Sequence, residues 1–125
     1  NLDESVRFLG NRDDVNELYQ AMDVFVMPSL FEGIPVVGVE AQFSGLPCVF
    51  SDKVPVEVKF TENSEFVSLE KKPEDWADVV LDKKVNSDRI RDLNFISKSI
   101  YNIKNSCNIL DEYYMRLQIK NNQSV

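Results

Sequence analysis

The stretch "DVFVMPSLFEGIPVVGVEAQFSGLPCVFSD", Asp23 to Asp52, decides the fold. Its ends, "VFVMP" (24–28) and "PCVFS" (47–51), are short continuous apolar runs. Such runs suit strands covered on both faces, as in parallel sheets. Between them, Pro35 can start a helix at its first position and Gly45 can end it. Strand, loop, helix and strand in that order are the repeating unit of an α/β domain. Ligands in such folds bind at the carboxyl ends of the strands. The loop 29–34 leaves the first strand at that end, so it is the place to expect a site.

The same stretch carries two carboxylates, Glu32 and Glu40, inside a mostly apolar run. Burying a carboxylate is expensive unless it is paired or hydrogen-bonded. Either both reach water or something polar meets them. Gly33 lets the backbone turn and a ligand approach closely. The helix that follows points unpaired N–H groups back at this loop, and its N-terminus favours anions, phosphate above all. Glu40 lies deeper in that helix, among Val36, Val37, Val39, Ala41 and Phe43. A carboxylate can accept two hydrogen bonds at once, which matches a vicinal diol such as a ribose. The plain alternatives stand beside this: Glu32 as a solvated loop residue, Gly33 as an ordinary turn, Glu40 facing water. The residues alone leave both open.

Working outward, "SVRFLG" (5–10) alternates and ends in Gly, which predicts a short strand. "DDVNELYQAMD" predicts a helix with Val15, Leu18, Ala21 and Met22 on one face, and Asp14 with Glu17 has capping-box spacing. "EFVSL" (65–69) reads as a further strand. "PEDWADVVLDKK" (73–84) reads as a helix with Pro73 at its start, acids in the first turn and lysines in the last. Helices are also expected over 87–100 and 102–120, the latter with Ile103, Cys107, Leu110, Tyr114 and Leu117 on one stripe. Residues 121–125 are expected to form a frayed tail.

The chain of 125 residues fits one domain with a real core. Acids outnumber bases, 21 to 14, for a net charge of −7. That disfavours nucleic acid as a partner, which needs a basic surface. Without histidine, Ser-His-Asp and zinc-finger patterns are excluded within this chain. Cys48, in "PCVF", reads as a small buried residue. The two cysteines lack the spacing of a disulfide framework and point to a reducing compartment. No signal peptide is expected from these residues, and no apolar run among them reaches membrane-spanning length.

The Asp23–Asp52 stretch resembles the signature region of family 4 glycosyltransferases, retaining enzymes of the GT-B fold. The core of that signature is E-x(7)-E, matched by Glu32 and Glu40. "FLGNRDDVNELYQAMDVFVMPS" before it and "GLPCVFSD" after it match as well. The version "PSLFEGIPVVGVEAQFSGLP" looks most like bacterial members that build exopolysaccharide or capsule. "YNIKNSCNILDEYYMRL" looks like the closing helix of that group, so the resemblance runs from about Val6 to Tyr114.

The resemblance implies two Rossmann-like domains facing each other across a cleft, with a nucleotide-sugar donor held by the carboxyl-terminal one. Residues 1–120 would be part of that donor-binding domain. Glu40 would bind the ribose hydroxyls, and Glu32 would be the catalytic-site carboxylate near the donor sugar and diphosphate. Amides after Gly33, through Ile34 and Val36, would cradle the sugar and diphosphate. Pro35 lies in the same turn but has no N–H to give. No metal or cofactor is expected, because the helix terminus and basic side chains would stabilise the leaving diphosphate. A saccharide or lipid-linked acceptor would bind a separate amino-terminal domain, in the cytoplasm at the inner face of the membrane. The resemblance makes the chain a fragment of a longer protein: transfer is expected of the parent, and the piece alone is expected to be inactive.

Doubly wound nucleotide-binding sheets commonly run 3-2-1-4-5-6. In that order "VRFLG" is strand 3 and "VFVMP" strand 4, with two strands between them that this chain lacks. "VFVMP", "PCVFS" and "EFVSL" should then form one parallel block, with "VRFLG" apart from it. The free apolar edge of Val24–Pro28 should favour self-association or binding to the rest of the parent. Two neighbouring functions share parts of this pattern: a GT-B-like nucleotide-sugar epimerase, and a module that binds a nucleotide sugar without transfer. A receiver domain would use the Lys72–Pro73 step, but it needs an aspartate where the strand 24–28 is followed by Ser29.

Overall fold

The computed structural model describes residues 3–86, 89 and 97–122. Helix α1 (Val15–Ala21) leads to strand β1 (Phe25–Met27), helix α2 (Val36–Phe43) and strand β2 (Cys48–Ser51). A 3-10 turn at Val56–Val58 precedes strand β3 (Ser64–Val67). Helix α3 (Pro73–Asn86) and helix α4 (Ile103–Asn122) follow. The three strands form one parallel sheet in the order β1-β2-β3. Phe25 pairs with Cys48, and Cys48 with Ser64. This is the parallel α/β block expected from the apolar runs, with helices flanking it.

Every residue of β2 is buried. Successive side chains on a strand point to opposite faces, so β2 is covered on both. Cys48 and Phe50 join Tyr19, Val39, Ala41, Leu46, Val54 and Val58 in the core. Helix α2 comes close to the sheet because residue 38 is glycine. A Cβ there would lie 2.8 Å from the Phe50 ring and 3.2 Å from a Val58 methyl. The helix ends at Gly45 as expected, in the left-handed region (φ 78°). Gly45 N–H donates to the Gln42 carbonyl and Leu46 N–H to that of Ala41, which satisfies two orphan carbonyls of the last turn.

Several expectations are corrected. Residues 6–10 form no strand, and Phe8 is 96% exposed. A strand exists through its ladder, and among the described residues no strand runs beside them. Pro35 is the N-cap of α2 (ψ 112°), not its first helical residue. The capping box on α1 does not form, because Arg12 takes the Asp14 carboxylate, with Nε at 2.6 Å from Oδ1. The buried residue of α1 is Tyr19, whereas Ala21 is exposed. On α4, Ile103, Cys107, Leu110, Tyr114 and Leu117 are all exposed. The helix expected over 87–100 lies mostly outside the described residues. So does most of the tail expected at 121–125, since α4 runs to Asn122. Among the described residues no helix is long and apolar enough to cross a membrane.

Two polar anchors hold the frame. The buried Gln42 amide donates to the Gly38 and Val58 carbonyls, each at 2.9 Å. Its oxygen accepts from the Phe60 and Thr61 N–H groups and from the Ser64 hydroxyl at 2.9 Å. One side chain thus ties α2 to the 3-10 turn and to β3. Arg89 donates to the Tyr19 carbonyl at 2.8 Å and to that of Met22, closing the C-terminus of α1.

Candidate functional site

The segment 28–35 leaves β1 at its carboxyl end and enters α2, the position where doubly wound sheets take ligands. Its start is fixed from the neighbouring strand. The buried Ser51, last residue of β2, donates its hydroxyl to the Ser29 carbonyl. Beside it, the Asp52 carboxylate accepts from the Leu69 N–H at 3.2 Å, joining the ends of β2 and β3. Hydrogen bonds from Ser68 first, then from Leu69, hold the Asp52 carboxyl below its usual range.

Beyond Ser29 the chain turns outward. Leu30 and Phe31 are 82% and 87% exposed. Glu32 is half-buried, and among the described residues no hydrogen bond or ion pair meets its carboxylate. A Cβ at Gly33 would meet nothing within 4 Å beyond its chain neighbours. Its φ also lies outside the left-handed region, which only Gly10 and Gly45 occupy among the described residues. Neither packing nor backbone conformation therefore requires glycine at 33.

Pro35 is buried and caps α2 through its carbonyl, which accepts from Gly38 N–H at 3.0 Å and Val39 N–H at 3.3 Å. Among the described residues no side chain caps this terminus. The N–H groups of Val36 and Val37 are first-turn donors without an intrahelical acceptor. They point toward the loop that carries Gly33 and Ile34.

One side of α2, with Gly38, Val39, Ala41 and Gln42, is buried. Val36, Val37 and Glu40 share the other side and are exposed, Val36 to 66%. Glu40 thus reaches water, with Val36 and Val37 exposed on the same face. Its Oε2 accepts from the Tyr19 hydroxyl at 3.2 Å. Burial first, then the charge of Glu40, push the Tyr19 phenol up to about 12. The hydroxyl therefore stays protonated and able to donate near neutrality.

The fold brings Glu32, Gly33, Ile34, Pro35 and Val36 together at one helix entrance, and Glu40 onto the exposed face behind it. Tyr19, Gln42 and Ser51 support this entrance and were not singled out from the sequence. Tyr19 had a signal, since Val15, Leu18, Tyr19 and Met22 follow helical spacing. Gln42 had none, because its partners come from distant segments.

A sequence model of the family described as glycosyl transferases group 1 matches residues 1–82. A Bacillus subtilis (strain 168) protein named as a glycosyltransferase, EpsF, is 57% identical over 58 residues, 46% of this chain and 15% of that protein. The UDP-Gal:alpha-D-GlcNAc-diphosphoundecaprenol alpha-1,3-galactosyltransferase of Escherichia coli is 48% identical over 52 residues, 42% of this chain and 13% of its own. The N,N'-diacetylbacillosaminyl-diphospho-undecaprenol alpha-1,3-N-acetylgalactosaminyltransferase of Campylobacter jejuni is 48% identical over 48 residues, 38% of this chain and 13% of its own. The matched segments are thus a small part of each relative's length. No solved structure matches the chain significantly. With its parallel sheet, its loop at the strand ends and a family match over most of its length, the chain belongs to the group 1 glycosyltransferases.

Proposed function

We propose that this chain is part of the donor-binding domain of a retaining family 4 glycosyltransferase with GT-B architecture. The observation that carries this reading is the exposed face of α2. It joins a helix N-terminus that no described side chain caps, a glycine that the fold does not require, and a carboxylate beside exposed valines. An apolar patch left open on a folded surface commonly marks a binding site.

In this reading the nucleotide sugar lies along that face. Glu40 accepts from the two ribose hydroxyls. The diphosphate lies at the α2 N-terminus, where the N–H groups of Val36 and Val37 and the helix dipole favour negative charge. The Ile34 amide adds to the cradle, and Pro35 fixes the turn. The missing side chain at Gly33 lets the sugar and diphosphate approach the backbone. Charge grows on the diphosphate as the glycosidic bond breaks, so donors aimed there act mainly on the transition state. Glu32 sits beside the donor sugar as the catalytic-site carboxylate. No metal or cofactor takes part.

The acceptor binds outside these residues. Two relatives carry diphospho-undecaprenol in their names, which favours a lipid-linked saccharide as acceptor. We place the reaction in polysaccharide assembly, exopolysaccharide or capsule, on the cytoplasmic side of the membrane.

The test is calorimetry with a nucleoside diphosphate on the intact protein that carries this chain. Glu40→Ala is expected to weaken binding by about 1.5–3 kcal/mol, the range for hydrogen bonds to a charged group. Acceptor affinity should not move. Unchanged nucleotide affinity in a folded variant rules out the ribose role.

A further inference from the structure

Helix α2 carries Glu40 on its open face, where a carboxylate has several rotamers available. A site that reads a diol needs both oxygens held in one orientation. The structure supplies a hold from another element. Tyr19, 4% exposed and near the end of α1, reaches Glu40 Oε2 at 3.2 Å and the Val37 carbonyl at 3.3 Å. Its ring is itself fixed, packing edge-on to Phe25 of β1 at 6.3 Å, and Phe25 packs on Phe50 of β2. Its own carbonyl accepts from Arg89. The hydroxyl is therefore anchored to the sheet, whereas the carboxylate it meets is anchored only to α2.

We infer that Tyr19 is a positioning residue: its hydroxyl orients the Glu40 carboxylate for the vicinal hydroxyls of a ribose. The inference rests on the donor-binding reading of Glu40. The hydroxyl has one proton and two acceptors in reach, and the charged one makes the stronger bond. That leaves Glu40 with one oxygen partly committed to Tyr19 and lone pairs on both oxygens still open to a diol. The Tyr19–Glu40 bond is long for a hydroxyl and a carboxylate, so the effect of losing it is modest. Phe at 19 would keep the packing on Phe25 and lose only the donor.

The experiment measures binding of uridine, guanosine and adenosine diphosphates to the intact protein, each against its 2′,3′-dideoxy counterpart. The ratio of the two affinities reads the diol contact alone, because general loss of structure weakens both ligands together. Wild type should prefer the ribose form, and Glu40→Ala should abolish the preference. Tyr19→Phe should shrink it by about three- to tenfold, the size of one ordinary hydrogen bond. It should do so without weakening the dideoxy ligand, and it should add nothing on a Glu40→Ala background. A full ribose preference in Tyr19→Phe, with Glu40→Ala still abolishing it, overturns the inference and leaves the reading of Glu40 standing. No preference in wild type, a preference that survives Glu40→Ala, or no binding of any of the three overturns that reading, and the inference with it. Should Tyr19→Phe misfold, an NMR titration of tyrosine-labelled protein replaces it. Glu40→Ala should then lower the Tyr19 pKa, and an unmoved value overturns the contact.

Discussion

Strand β2 and helix α4 are both rich in apolar residues, and they end up in opposite surroundings. Every side chain of β2 is buried, Phe50 completely. On α4 Ile103, Ile109, Leu110, Tyr113, Tyr114, Met115, Leu117 and Ile119 are all exposed. The two adjacent tyrosines touch each other, ring centroids 5.9 Å apart. The contrast teaches that apolar spacing predicts which element forms, but not what covers it. Burial needs a partner surface, and β2 has one on each side, whereas the apolar side chains of α4 stay exposed. Helix α2 contains the same contrast within eight residues: Gly38 and Val39 face the sheet, Val36 and Glu40 face outward.

That contrast can be broken at Phe50. Phe50→Ala should cost about 3–5 kcal/mol, the usual range for emptying a packed aromatic site. Denaturant unfolding measures it, and a loss below about 1 kcal/mol would mean that the β2 core is loose. Gln42→Leu comes next. It keeps the volume but strands the Val58 carbonyl and the Thr61 N–H in the interior. A cost of about 1–3 kcal/mol is expected, with thermal unfolding as the readout; a neutral change would deny the hub its role. The smallest effect belongs to α4. In the 125-residue chain Leu110→Ser should stay within about 0.5 kcal/mol, as exposed positions do. A loss above about 2 kcal/mol would show that this stripe is covered in solution.

The strands and the α2 helix were legible in the sequence because unbroken apolar runs flanked by Pro and Gly have few alternative readings. Their ends moved by a residue or two where caps decided the matter, as at Pro35. "VRFLG" misled, since alternation describes a strand's surface and not its neighbour. Asp14 misled because Arg12, two residues earlier, competes for the carboxylate that a capping box needs. The face of α1 that packs inward runs through Tyr19 and not through Ala21, a rotation that helical spacing alone does not fix. Of the site, Gly33 and the two glutamates were picked out by their motif rather than by physical necessity. The exposed valines around Glu40 could be placed only once the buried side of α2 was known.

Gly33 separates folding from function most cleanly, because a Cβ there meets no described atom within 4 Å beyond its chain neighbours. The decisive measurement is sugar-transfer turnover of the intact protein carrying Gly33→Val, alongside its unfolding midpoint. A donor-binding loop predicts turnover lower by roughly 100- to 1000-fold, with stability unchanged to within about 0.5 kcal/mol. Wild-type turnover in the folded variant would contradict a sugar- or phosphate-binding role for this loop.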